Sequence, residues 1–245
     1  MQNIAGYETS SISWCEKNYS YSLNICEIMN TLTGLMYIFH SLKLYNNLKF
    51  LNGKKFNIFN YFSLDKLQRN HINICIIFFL IGLFTMYFHG TLSYLGQILD
   101  EFSIYLLIII LDYSYKCNLL LRIVIGFIIL NSYSEYNRFF LLFYGCFRSY
   151  TLVISYLNET CKERKKIFRY GIMFFVFSII FWLVDIFLCN NLYISLHWLW
   201  HIFSSLSLYY IVNFSILNQM NKNNIKSSNF NAYNKFICDT IPKFI

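Results

Sequence analysis

His197-Trp-Leu-Trp-His201 places two imidazoles four residues apart, the spacing that brings both onto one face of a helix. Two histidines on one helix and a third from another, here His89, make a three-imidazole set for a zinc ion with its fourth position open. Zinc held in this way lowers the pKa of a water ligand to about 7 and supplies a hydroxide nucleophile at neutral pH. The same pair can instead bond across helices or reach toward an interface, and the spacing alone leaves both readings open. Asp100, followed by Glu101, adds a candidate acid–base group. A second cluster, Ser13-Trp14-Cys15-Glu16-Lys17-Asn18 and then Glu27, offers oxygen donors at short alternating spacing. Such donors suit a hard cation such as calcium. Two carboxylates and an amide in that place also describe an ordinary capped helix entry.

The elements that must position these residues follow from composition. The 245-residue chain is 57% hydrophobic, 21% aromatic and only 13% charged, with 20 basic and 12 acidic residues. Its mean hydropathy is +0.44. A soluble fold cannot cover that much apolar surface, and the aliphatic and aromatic load excludes disorder. A membrane helix needs about 20 mostly apolar residues. Seven segments qualify: Ile25–Leu44, Ile72–Ser93, Ile98–Tyr115, Leu119–Tyr133, Phe139–Leu157, Phe168–Leu188 and Leu192–Leu217. Runs such as Ile104-Tyr-Leu-Leu-Ile-Ile-Ile-Leu111 lack the alternation of a barrel strand. The expected fold is therefore an all-α membrane protein of seven transmembrane helices. It comprises a domain over 1–217 with a short N-terminal segment (1–24), then a polar tail over 218–245.

Seventeen of the 20 basic residues fall on one side of a seven-span arrangement, the exceptions being Lys17, Arg138 and Arg148. Basic loops stay cytoplasmic, which predicts a luminal or extracellular N-terminus and a cytoplasmic C-terminus. The net charge of +8 is then a topology signal, and nucleic acid is excluded as a partner. On this orientation His89 ends the second span at the luminal side, where the third span brings Asp100 and the seventh brings His197 and His201. Three of the five histidines converge there. His40 and His71 lie toward the cytoplasmic side and are read as non-ligands. Ionisable groups inside spans are costly and functional by default.

Four segments carry a resemblance to a known family: Trp14-Cys-Glu-Lys-Asn-Tyr19 with Glu27-Ile-Met-Asn30; Phe88-His-Gly-Thr-Leu-Ser-Tyr-Leu-Gly-Gln-Ile-Leu-Asp-Glu101; Phe181-Trp-Leu-Val-Asp-Ile-Phe-Leu-Cys189; and His197-Trp-Leu-Trp-His201. In this order they resemble the alkaline ceramidases, part of a seven-helix hydrolase superfamily with adiponectin-type receptors and a GPI-lipid remodelling hydrolase. The resemblance implies zinc on His89, His197 and His201, with Asp100 as acidic residue and Thr85 where the family has Ser. It implies calcium on Trp14 (through its carbonyl), Glu16, Asn18 and Glu27, with Ser13 where the family has Asp. It further implies a disulfide between Cys15 and Cys189. A family tyrosine on the fifth span has Tyr150 as its neighbour here, one position out of register.

What the resemblance implies for function is a zinc-dependent amidase that cleaves ceramide in the bilayer to a sphingoid base and a fatty acid. Its expected home is the membrane of the endoplasmic reticulum or Golgi. Two other classes remain in view: a seven-helix receptor or adaptor with structural zinc, and a GPI-lipid or ester hydrolase with the same chemistry.

Overall fold

The computed structural model describes residues 10–12, 14–52, 57–111, 150, 152–192 and 195–222, and every regular element among them is helical. In chain order these are α1 (Ile28–Thr33), α2 (Leu35–Asn52), a 3-10 turn (Ile58–Ser63), α3 (Lys66–Thr91), α4 (Tyr94–Leu111), α5 (Lys162–Leu192) and α6 (His197–Lys222). Three of them, α3, α4 and α5 up to Cys189, are long and apolar enough to cross a membrane. The fourth expected span, the end of the third and most of the fifth lie outside the described residues.

Caps, more than hydrophobicity, decide where these helices begin. The first expected span is two helices: α1 ends at Gly34 and α2 runs on to Asn52, eight residues past Leu44. Gly34 is required there because a Cβ would lie 2.6 Å from the Met86 side chain and 3.1 Å from the Gly82 carbonyl of α3. The helix that carries the second expected span, α3, starts at Lys66, ahead of Ile72. Asp65 accepts from the Gln68 N–H at 2.8 Å, and the Gln68 side chain accepts from the Asp65 N–H at 3.4 Å, a reciprocal capping box. The third starts at Tyr94 rather than Ile98, because Ser93 Oγ accepts from the Gly96 N–H at 3.0 Å. Between α3 and α4 the chain turns through Leu92, which holds a left-handed φ of 46°. The helix that carries the sixth expected span, α5, starts at Lys162, behind Glu159, which accepts from the Thr160 and Cys161 N–H groups and pairs bidentately with Arg164. Burial pushes the Glu159 carboxyl up, but these donors and the Arg164 charge outweigh it and hold it below its ordinary range.

The seventh expected span differs at both ends: α6 begins at His197 rather than Leu192 and ends at Lys222, five residues into the segment expected to be a tail. Its packing partners are α5, α2 and α1, while α3 packs against α1, α2 and α4. The core between them buries Leu44, Leu48, Phe78, Leu107 and Phe214 completely. Along the α2–α6 seam polar side chains also meet. His40 Nδ1 lies 3.2 Å from Ser205 Oγ, and Asn47 Nδ2 donates to the Tyr209 hydroxyl at 2.7 Å. In an apolar bundle such pairs are worth about 0.6 kcal/mol each and set which faces match.

Candidate metal centre

α3 contributes His89 in its last turn, and α6 contributes His197 as its first residue and His201 one turn later. All three are buried, and one ring nitrogen from each lies within 4.8 Å of the others. The ring centroids are 4.7 to 5.2 Å apart. Three positive rings cannot share so small a volume out of water, so the set is neutral.

What faces the outer nitrogens fixes the tautomers. Nδ1 of His89 lies 2.6 Å from Glu27 Oε2, and a carboxylate can only accept, so Nδ1 carries the hydrogen. Nδ1 of His201 lies 3.1 Å from the Asn30 carbonyl, with the same consequence, and 3.1 Å from Thr33 Oγ1. Nε2 of both rings is left with its lone pair, the form that ligates a metal. Nδ1 of His197 is buried without a hydrogen-bond partner, and its ring stacks on Trp14 at 3.6 Å and 16°. Neutral imidazoles with a carboxylate behind one of them match the donor set of a zinc site with an open position.

The elements around the triad are tied together by three carboxylates. Glu27 precedes α1 but does not cap it; its oxygens accept from the Trp14 N–H, the Asn30 side-chain amide and His89. Glu16 performs the capping from the N-terminal segment, accepting from the Met29 N–H at 2.7 Å and the Asn30 N–H at 2.9 Å. Burial raises the Glu16 carboxyl above its usual range against the pull of these two bonds, and the neighbouring Glu27 raises it further. Asp185 of α5 stands outside the candidate metal and acid–base sets that the motifs define. Its Oδ1 accepts from the Leu196 and His197 N–H groups, and its Oδ2 from the Cys15 N–H. One side chain thus caps the helix that presents His197 and anchors the N-terminal segment that brings Trp14. The signal was present, since Asp185 is the lone acidic residue in the Phe168–Leu188 run.

The other expected site residues divide. Thr85, one turn before His89, donates to Asp100 Oδ1 at 2.5 Å, so Asp100 joins α3 beside the triad without being one of its close group. Cys15 and Cys189 are bonded, fastening the N-terminal segment to the end of α5. Tyr150 is 63% exposed. His40 and His71 are buried apart from the triad. Of the calcium set, Ser13 lies outside the described residues, and Asn18 is half-buried. The oxygens of Glu16 and Glu27 are already engaged by N–H donors and His89, which is the arrangement of a capped helix entry.

The family model Ceramidase matches residues 6–244. Alkaline ceramidase 1 of Mus musculus is 35% identical over 104 residues, covering 42% of this chain and 34% of that protein. Alkaline ceramidase 1 of Homo sapiens is likewise 35% identical over 104 residues, covering 42% and 35%. A relative from Dictyostelium discoideum is 26% identical over 276 aligned positions, covering 92% of each chain. The chain thus spans about a third of the length of the two mammalian proteins it matches.

Proposed function

The chain belongs to the ceramidase family, and from that premise we propose that it hydrolyses the N-acyl bond of ceramide within the membrane, releasing a sphingoid base and a fatty acid. The observation that carries the reading is the convergence of His89, His197 and His201 as neutral imidazoles backed by Glu27 and Asn30. Zinc on these three nitrogens supplies a Lewis acid that polarises the amide carbonyl and acidifies water. Glu27 and the Asn30 carbonyl keep the rings of His89 and His201 oriented. Thr85 occupies one oxygen of Asp100, which leaves the other to take the proton from the attacking water. Asp100 then returns that proton to the departing amine, general base first and general acid second. Trp14 covers one face of His197 and keeps bulk water from it.

The accompanying topology has seven spans, residues 1–24 and the disulfide in the lumen, and 218–245 in the cytoplasm, in an endoplasmic reticulum or Golgi membrane. The distribution of basic residues supports it. Calcium on Trp14, Glu16, Asn18, Glu27 and Ser13 is proposed on the resemblance alone. No step of the reaction passes through it.

Ceramide in membranes with and without the protein separates the alternatives. Released sphingoid base supports the amidase. Fatty acid without sphingoid base supports an ester or GPI-lipid hydrolase. Neither product, with zinc bound, supports a receptor.

A further inference from the structure

We propose that the 3-10 turn between α2 and α3 anchors the protein to the membrane surface remote from the triad. Phe59 and Phe62 enter the interfacial layer of that leaflet, and the basic residues around them hold anionic phospholipid headgroups. The placement follows from α3, whose 26 residues rise about 39 Å. His89 lies in its last turn. Lys66 and the turn before it therefore stand at the other boundary of a hydrocarbon core about 30 Å thick. On the topology proposed above this is the cytoplasmic leaflet, which carries the anionic lipids.

Hydrogen bonds fix the shape of the turn. Asn57 Oδ1 accepts from the Phe59 N–H at 3.1 Å, Ser63 Oγ donates to the Asn60 carbonyl at 2.8 Å, and the Ile58 N–H donates to the Tyr45 hydroxyl of α2 at 3.3 Å. Tyr61 packs against the core and Leu64 is buried. Phe59 and Phe62 are instead 91% and 92% exposed. An apolar residue standing alone on a surface is ordinary, but two phenyl rings three positions apart on one fixed turn form a contact surface. The charges beside them indicate its partner. Lys49 lies in the last turn of α2, and Lys66 and Arg69 begin α3, against Asp65, which is spent on the capping box. Lys162 and Lys166 are exposed at the start of α5, whose far end holds Asp185 and Cys189 on the triad side. The triad end carries Glu16, Glu27, Asp100 and Asp185 instead. Apolar rings flanked by cations at a membrane boundary have the composition of an interfacial segment that binds anionic lipid. An acidic protein would meet the same charges, but lipid already surrounds the point where α3 leaves the bilayer.

Wild type and Phe62→Trp, each as the full chain, are reconstituted in phosphatidylcholine vesicles with graded phosphatidylserine. Part of the phosphatidylcholine is brominated near the headgroup end of its acyl chains. Quenching of the added indole is read as the difference between the two proteins. Phe62 is exposed, so its replacement leaves the packing of the bundle untouched. Anchoring predicts quenching of the added indole in phosphatidylcholine alone and a further rise as phosphatidylserine is added. Introducing Lys49→Gln and Lys66→Gln into Phe62→Trp should raise the phosphatidylserine fraction that gives half of this rise by about fivefold for each charge removed. The inference is overturned if the added indole is unquenched in every vesicle, the result expected of a turn that faces water or receives an acidic protein. It is overturned equally if the response to phosphatidylserine is the same with and without the two lysines. Neither measurement depends on ceramide turnover.

Discussion

The two groups of histidines in this bundle are equally buried and differ in what their ring nitrogens meet. His40 and His71 are 3% and 0% exposed, against 1%, 2% and 2% for His89, His197 and His201. His40 meets the Ser205 hydroxyl and the Tyr209 ring, and the Lys43 cation acts on it. His71 lies against Gln219, and the one carboxylate acting on it is the distant helix cap Asp65. Around the triad there are Glu27 and Asp185, both carboxylates, and a backbone carbonyl that fixes a tautomer. A divalent cation is attracted to the second environment and repelled by a lysine in the first. Burial therefore does not make a histidine a ligand. Convergence of lone pairs does, with acceptors behind them.

The largest expected effect tests this contrast directly. His89→Ala, His197→Ala and His201→Ala should each abolish ceramide hydrolysis and reduce bound zinc from about one per chain to background, since two ligands do not hold a catalytic zinc. His40→Gln and His71→Gln should keep both. Metal analysis of the five purified variants decides it, and zinc loss in His40→Gln to the level of His201→Ala would break the comparison.

Next in size is the carboxylate behind His89. Glu27→Gln removes the charge while keeping the shape, and partners of this kind are worth 10- to 100-fold in metal affinity. Competition with a graded chelator should show a loss of about that size, with the disulfide intact. An unchanged zinc affinity would mean that Glu27 serves the N-terminal segment and not the metal.

Asp185 should matter less, and in two separable ways. Asp185→Ala loses the cap on α6, worth about 1 kcal/mol, and the tie to Cys15, so both Tm and zinc retention should fall. Asp185→Asn keeps an acceptor for the Leu196 and His197 N–H groups. It should restore most of the zinc retention, whereas protection of the N-terminal segment from proteolysis stays low. Equal behaviour of the two variants would show that Asp185 acts on the fold alone.

The smallest effect belongs to the calcium proposal. Calcium affinity follows the number of charged ligands, and Ser13→Asp adds one to a segment that already holds Glu16 and Glu27. The variant should need less calcium than wild type for half-maximal activity, and without calcium it should melt lower through charge repulsion. Coincident titrations of wild type and variant, with no response to chelators, would leave these residues as a helix cap.

Much of the positioning was legible in the residues themselves. The helical class follows from apolar runs without alternation. The pairing of His197 with His201 on one face is a local property of a four-residue spacing, independent of anything else in the chain. The starts of the helices were less legible: Asp65 and Ser93 are polar residues at the edge of apolar runs, and hydropathy ignores the hydrogen bonds they make. Least legible were the partners. Glu27 reads as a member of the N-terminal oxygen cluster, yet it meets a histidine 62 residues away. Asp185 meets Cys15 from a separation of 170 residues.

The sequence by itself therefore determined the class of the protein, the spacing of its histidines, and the presence of enough acidic and hydroxyl groups to serve them. Only the tertiary structure decided which group serves which: Glu27 for His89, Asn30 for His201, Asp185 for the start of α6, and Tyr37 for Ser204. The reason is geometric. Periodicity assigns a residue to a face, but a helix slid by one turn moves that face about 5.4 Å along its neighbour. A hydrogen bond tolerates a few tenths of an ångström, so its partner is chosen by how the helices pack.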